Sequence, residues 1–120
     1  MSEAAFNPAA IERLVKLGGS KFATEMIGMF GSYGGKKLAE ARQAQAGGNL
    51  AALAAAAHPL KSSAGNVGAS RVQELAAQVE QAALEQKPDL AAAQLTELEA
   101  AFAGAITFLE QEKLKLAASS

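Results

Sequence analysis

The chain has 120 residues, eleven basic and twelve acidic side chains, a formal charge of −1 and no cysteine. Disulfides and thiolate metal sites are therefore excluded, and the lack of a basic stripe argues against nucleic acid as a partner. No apolar run approaches the roughly 18 residues that cross a bilayer. The opening MSEAAFNP lacks the charged-then-apolar pattern of a secretion signal, so a cytoplasmic location away from membranes is expected. Half of the residues are apolar, but five Phe, one Tyr and no Trp supply all the aromatics. Ala, Leu, Gln and Glu dominate, and these lose little side-chain freedom in a helix and fill a pleated sheet poorly. The expectation is one all-α domain over residues 1–120, a whole short protein.

Five helices are predicted. The first covers residues 8–17, with Asn7 as N-cap and Pro8 at the first helical position, and Gly18-Gly19 ends it. The second covers 20–46, with Ser20 as a candidate cap. Ala23, Ile27, Phe30, Leu38 and Ala41 form one apolar stripe, and Phe22, Met26, Met29 and Tyr33 form a second. A face this wide predicts contact with two neighbours, the bundle and the first helix. Glycines 28, 31, 34 and 35 each cost about 1 kcal/mol in a helix interior, which leaves open a bend or break near Gly34. The third helix, 50–65, follows Gly47-Gly48 and the cap Asn49, and buries Leu50, Leu53, Ala57, Leu60 and Ala64. Ser70 with Gln73 matches a capping box for a fourth helix over 70–86, with Val72, Leu75, Ala76 and Val79 inward. Lys87-Pro88-Asp89 turns the chain into a fifth over 89–116, with Leu95, Leu98, Phe102, Ala105, Leu109 and Leu116 on one side. Short connections favour antiparallel neighbours. The predicted fold is an up-down-up-down four-helix bundle with the short N-terminal helix packed across one end.

The single histidine, His58, stands mid-way along the third helix. At about 100° per residue it lies roughly 130° from the centre of the buried stripe, facing solvent. Its neighbours on that face are Ala51, Ala54, Ala55, Lys61, Ser62 and Gly65, a clearing of short side chains with one cation. Lys61, three residues on, shares the histidine's side of the helix, and a mobile ammonium there suits an anion carried on the ring. By position alone, a lone surface histidine in an Ala-rich protein is more often a solvated side chain than a functional one. Pro59 removes a backbone N–H and crowds the carbonyl of Ala55. It predicts a kink with that carbonyl turned to solvent, or else a helix that breaks at His58 and restarts. Gly68 stands where the chain must reverse, a place for a left-handed residue.

Residues 57–69 read AHPLKSSAGNVGA. This resembles the signature of histidine phosphotransfer (HPt) domains, Ala-His-x-Leu-Lys-Gly/Ser-Ser-Ala followed by Gly-Ala. Ala57, His58, Leu60, Lys61, Ser63, Ala64, Gly68 and Ala69 match in identity and spacing. Phe30, the Gly-rich turn before the histidine helix and Glu80 extend the likeness over most of the chain. Ser62 stands where the family often has Gly, a small residue in either case.

The resemblance implies that His58 is the phosphoacceptor, through Nε2, and that Lys61 lies beside the phosphoryl group. It implies that Glu80 bonds the other ring nitrogen and holds the Nδ1–H tautomer; Gln78 is a weaker candidate for that role, and a solvated Glu80 the alternative. It implies a phosphorelay carrier that exchanges phosphoryl groups with the receiver domains of response regulators and hybrid histidine kinases. The chain has no G-x-x-x-x-G-K-[ST] loop and no acidic triad for Mg²⁺. No cofactor of its own is therefore expected, the receiver supplying Mg²⁺ and the aspartate. Docking is expected on Ala51, Ala54, Ala55, Ser62 and Gly65 with surface from the first two helices. There Ile11, Leu14 and Leu17 either extend an apolar rim or seal the core. A monomer is expected. The rival readings are a non-phosphorylating receiver-binding module, a fragment of a histidine kinase, and a purely structural bundle.

Overall fold

The computed structural model describes residues 5–119, and their regular structure is helical throughout. Helices α1 (Pro8–Ala46), α2 (Leu50–Asn66), α3 (Ser70–Leu84) and α4 (Pro88–Ser119) form the bundle. Each packs on its sequence neighbours, and α1 closes the ring against α4.

The break expected after residue 17 is a one-residue kink. Gly19, at φ 89° and ψ 178°, leaves the helix while the chain on either side stays in it. Gly19 rather than Ser20 is therefore the residue that steps out. The segment before the kink lies over the α2–α3 turn. Asn7 accepts from the Ala9 amide, its own amide donates to the Gly68 carbonyl at 2.8 Å, and Phe6 stacks on Phe108 at 3.9 Å. Ile11 and Leu14 are buried there and seal the core, whereas Leu17 is exposed.

The three connections, each of three residues, share one geometry. The amides of Asn49, Ala69 and Lys87 each donate to the carbonyl five residues back, Ala44, Ala64 and Ala82, at 2.9 Å. The residue before each is left-handed: Gly48 (φ 69°), Gly68 (φ 79°) and Gln86 (φ 58°). This is the helix stop that satisfies the last carbonyls. The third stop uses Gln86, so α3 ends at Leu84, before the expected residue 86, with no glycine to announce it. The capping box at Ser70 does not form. Ala69 is the cap residue, without a side-chain bond, and Gln73 lies against Gly65 instead. Asn49 does cap α2, accepting from the Ala52 amide at 3.0 Å.

Helix α1 runs unbroken through Gly34. The glycine is there for packing: a Cβ would stand 2.5 Å from Cε1 of Phe102, whose ring lies 5.3 Å from that of Phe30. Helix α2 is likewise helical from end to end, which removes the reading in which it breaks at His58 and restarts after Pro59.

The core is aliphatic. Ile27, Leu53, Leu60, Leu75, Leu95, Leu98 and Leu109 are fully buried, each stabilising the fold by about 1.5–3 kcal/mol relative to exposure. Alanines 23, 41, 57, 64, 76 and 91 have no exposed surface, and their small size lets the helices approach closely. The second stripe of α1 does not follow this pattern. Phe22 and Met26 are half-buried against the core, but Met29 and Tyr33 are exposed.

Candidate functional site

Leu53, Ala57, Leu60 and Ala64 anchor α2 in the core, and this fixes the rotation of the helix. His58 is turned outward, with two-thirds (67%) of its side chain exposed. Beneath it α3 supplies Glu80, whose side chain is 16% exposed. One carboxylate oxygen lies 2.6 Å from His58 Nδ1 and the other 2.6 Å from Lys61 Nζ. Glu80 thus grips both residues that the sequence places on the same side of α2.

Burial by itself pushes the Glu80 carboxyl up, but hydrogen bonds from Lys61 and His58, with their charges, outweigh it. The group is held below its ordinary value and is ionised at neutral pH. An ionised carboxylate only accepts, so the ring nitrogen facing it must donate. His58 carries its proton on Nδ1, and in the neutral ring the Nε2 lone pair points away from α3. Gln78 is engaged elsewhere: its Oε1 accepts from Gln94 Nε2 at 3.2 Å, across to α4.

Lys61 is not a loose cation waiting near the ring. It is tied to Glu80, and about a third of it is exposed. The residue types were legible in sequence; the shared carboxylate appears only once α3 is laid beside α2.

The clearing around the ring differs in part from expectation. Ala51, Ala55 and Ser62 are exposed. Ala54 is buried, because it lies on the flank of α2 covered by α3, and it drops out of the accessible face. Gly65 is half-covered, with the Gln73 amide 2.8 Å from where a Cβ would stand. Among the described residues no three His, Cys, Asp or Glu side chains cluster as a metal site, and no helix is long and apolar enough to cross a membrane.

The family model of the Hpt domain matches residues 25–108, a span that holds His58, Lys61 and Glu80. The chain belongs to the Hpt domain family. Its fold agrees. Histidine-containing phosphotransfer protein B of Pseudomonas aeruginosa PAO1 superposes with a TM-score of 0.87, at 20% identity, over 92% of this chain and 96% of the other. A rice protein described as a histidine-containing phosphotransfer protein superposes with a TM-score of 0.81, at 19% identity, over 97% and 86%. The sequence matches no curated relative. Hpt domains are phosphocarriers of phosphorelays without kinase activity of their own, and this chain takes that general role.

Proposed function

We propose that His58 is the phosphoacceptor and that this Hpt protein exchanges its phosphoryl group with receiver domains. The observation that carries the reading is the mostly exposed imidazole whose Nδ1 is tied to an ionised Glu80, leaving Nε2 as the outward nucleophile.

A neutral imidazole is a competent nucleophile through its unprotonated ring nitrogen. The Nε2 lone pair forms a bond to phosphorus as the bond from phosphorus to the receiver's aspartyl oxygen breaks, and the carboxylate leaves with the electron pair. The proton stays on Nδ1. The product ring is an N-phosphorylated imidazolium, and Glu80 faces its positive charge at hydrogen-bond distance. In the reverse direction the same ring leaves with its electron pair, so the step is reversible. Lys61, one turn away and partly exposed, can transfer its ammonium from Glu80 to the incoming phosphoryl oxygens. Phosphoryl transfer needs chiefly in-line positioning and charge neutralisation. In this reading the chain itself needs no cofactor, and the receiver brings Mg²⁺ and the acceptor aspartate. Ala51, Ala55 and Ser62 leave room for it to press close, and the chain acts in the cytoplasm as a monomer.

Incubation with a phosphorylated receiver domain and Mg²⁺ tests this. Wild type is expected to take up an acid-labile, base-stable label, and His58→Gln none. Comparable labelling of His58→Gln would remove the assignment. A tight receiver complex with no label on wild type would favour the non-phosphorylating module.

A further inference from the structure

The groups around His58 divide into two flanks of α2. At 100° per residue, Ala54, Lys61 and Gly65 lie about 20–60° to one side of the histidine, and Ala51, Ala55 and Ser62 about 20–60° to the other. The covering of the helix agrees with this division. Ala54 is buried, Gly65 is half-covered by Gln73 of α3, and Lys61 is tied to Glu80 of α3. The first flank therefore faces α3. Ala51, Ala55 and Ser62 are exposed, and theirs faces away from it.

The ring lies across the division. Glu80 holds Nδ1 at 2.6 Å on the α3 side. The two nitrogens of an imidazole point nearly opposite ways, so Nε2 opens toward the second flank. Of the three side chains there, Ala51 and Ala55 have no polar atom, and the hydroxyl of Ser62 is the donor.

That hydroxyl is uncommitted. Ser32, Ser63, Thr96 and Thr107 each donate to a backbone carbonyl three or four residues back. Ser62, also within a helix, makes no such bond among the described residues. Helical side chains lean toward the N-terminus of their helix. This carries the Ser62 hydroxyl back over the turn that holds His58, four residues earlier.

We propose that Ser62 donates a hydrogen bond to a phosphoryl oxygen on Nε2 of phosphorylated His58 and so stabilises the loaded carrier. The hydroxyl keeps its proton, and no covalent bond of Ser62 forms or breaks. Lys61 meets the phosphoryl group from the α3 flank and Ser62 meets it from the other, so the group is held on two sides. This rests on His58 as the phosphoacceptor and adds a second ligand for the phosphoryl group. A glycine at this position lacks the donor, so the hold on phosphate is a property of the serine and not of the small size it shares with glycine.

The position of the transfer equilibrium tests this. The equilibrium between free phosphorylated receiver and free carrier depends only on the separate proteins. Contacts made in their complex change the forward and reverse rates by the same factor and leave it fixed. The constant is measured with the receiver domain that labels wild type, for wild type, Ser62→Ala, Ser62→Gly and Ser62→Thr. The Ala and Gly variants are expected to hold phosphate about three- to tenfold less favourably, the worth of one hydrogen bond. The Thr variant keeps the hydroxyl and should stay within about twofold of wild type. An unchanged constant for Ser62→Ala, even with both rates altered, would assign Ser62 to the fit of the partner and overturn the proposal. A Thr variant as weak as the Ala variant would overturn it as well. Either result leaves the assignment of His58 standing, whereas a wild type that takes no label removes that assignment and this proposal with it.

Discussion

Replacing Glu80 with Gln is the most informative single change at the site. The carboxylate accepts from His58 Nδ1 on one oxygen and from Lys61 Nζ on the other. A glutamine of the same shape has one acceptor oxygen and one donor nitrogen, so it serves either the ring or the lysine. If it serves the ring, a charge-assisted bond becomes a neutral one. Bonds to charged groups contribute about 1.5–3 kcal/mol and neutral ones about 0.5–1.5. With His58 mostly exposed, the lower end applies, a loss of about 1 kcal/mol. The bond strengthens as the ring becomes cationic during transfer, so most of that loss falls on the barrier. At about 1.4 kcal/mol per factor of ten, transfer should slow about five- to tenfold. Single-turnover transfer from a phosphorylated receiver measures the rate, and ¹⁵N chemical shifts of His58 report the share of the Nδ1–H form, which should fall. Unchanged rate and tautomer would refute the positioning role of Glu80. A slowed rate with an unchanged tautomer would show that the carboxylate acts by charge alone.

Lys61→Ala should slow transfer about tenfold, the loss of one charge-assisted contact, and lower the urea midpoint slightly because the largely buried Glu80 loses a partner; a wild-type rate would disprove the charge role. The folded-state value of Glu80 lies below its ordinary 4.5, so its contribution to stability is complete above that value and is lost as pH falls through the depressed one. The stability gap between wild type and Glu80→Gln in urea should therefore narrow as pH falls from about 5 through the depressed value; a gap that widens over that range would contradict the sign. Gly34→Ala and Gly35→Ala should move stability in opposite directions. A Cβ at Gly35 meets nothing within 4 Å and should gain about 0.5–1 kcal/mol, whereas at Gly34 the Phe102 clash costs about 1–3 kcal/mol and outweighs the helix gain. Equal urea midpoints for the two variants would show that the ring gives way freely. Pro59→Ala should raise stability by at least about 1 kcal/mol, up to the roughly 3 kcal/mol an interior proline costs; no gain would show that α2 already accommodates the ring.

The helical periods, the paired glycines and the AHPLKSSA string lie within short stretches of chain, where local physics is decided. They made the all-α fold, an interruption after Leu17, the stops at Gly48 and Gly68 and the outward turn of His58 legible in the sequence, though the interruption is a kink at Gly19 within one helix and not the expected end of a separate one. What failed were readings that needed a neighbour. Gly34 looked like a weak point and is a socket for Phe102; Ala54 looked open and lies under α3; Met29 and Tyr33 looked buried and have no helix over them. Lys61 looked free and is tied to Glu80, nineteen positions away along the chain. Periodicity reports which side of a helix is apolar, not which side is covered. The grip of one carboxylate on two side chains exists only because close packing of alanine-rich helices sets α3 against α2.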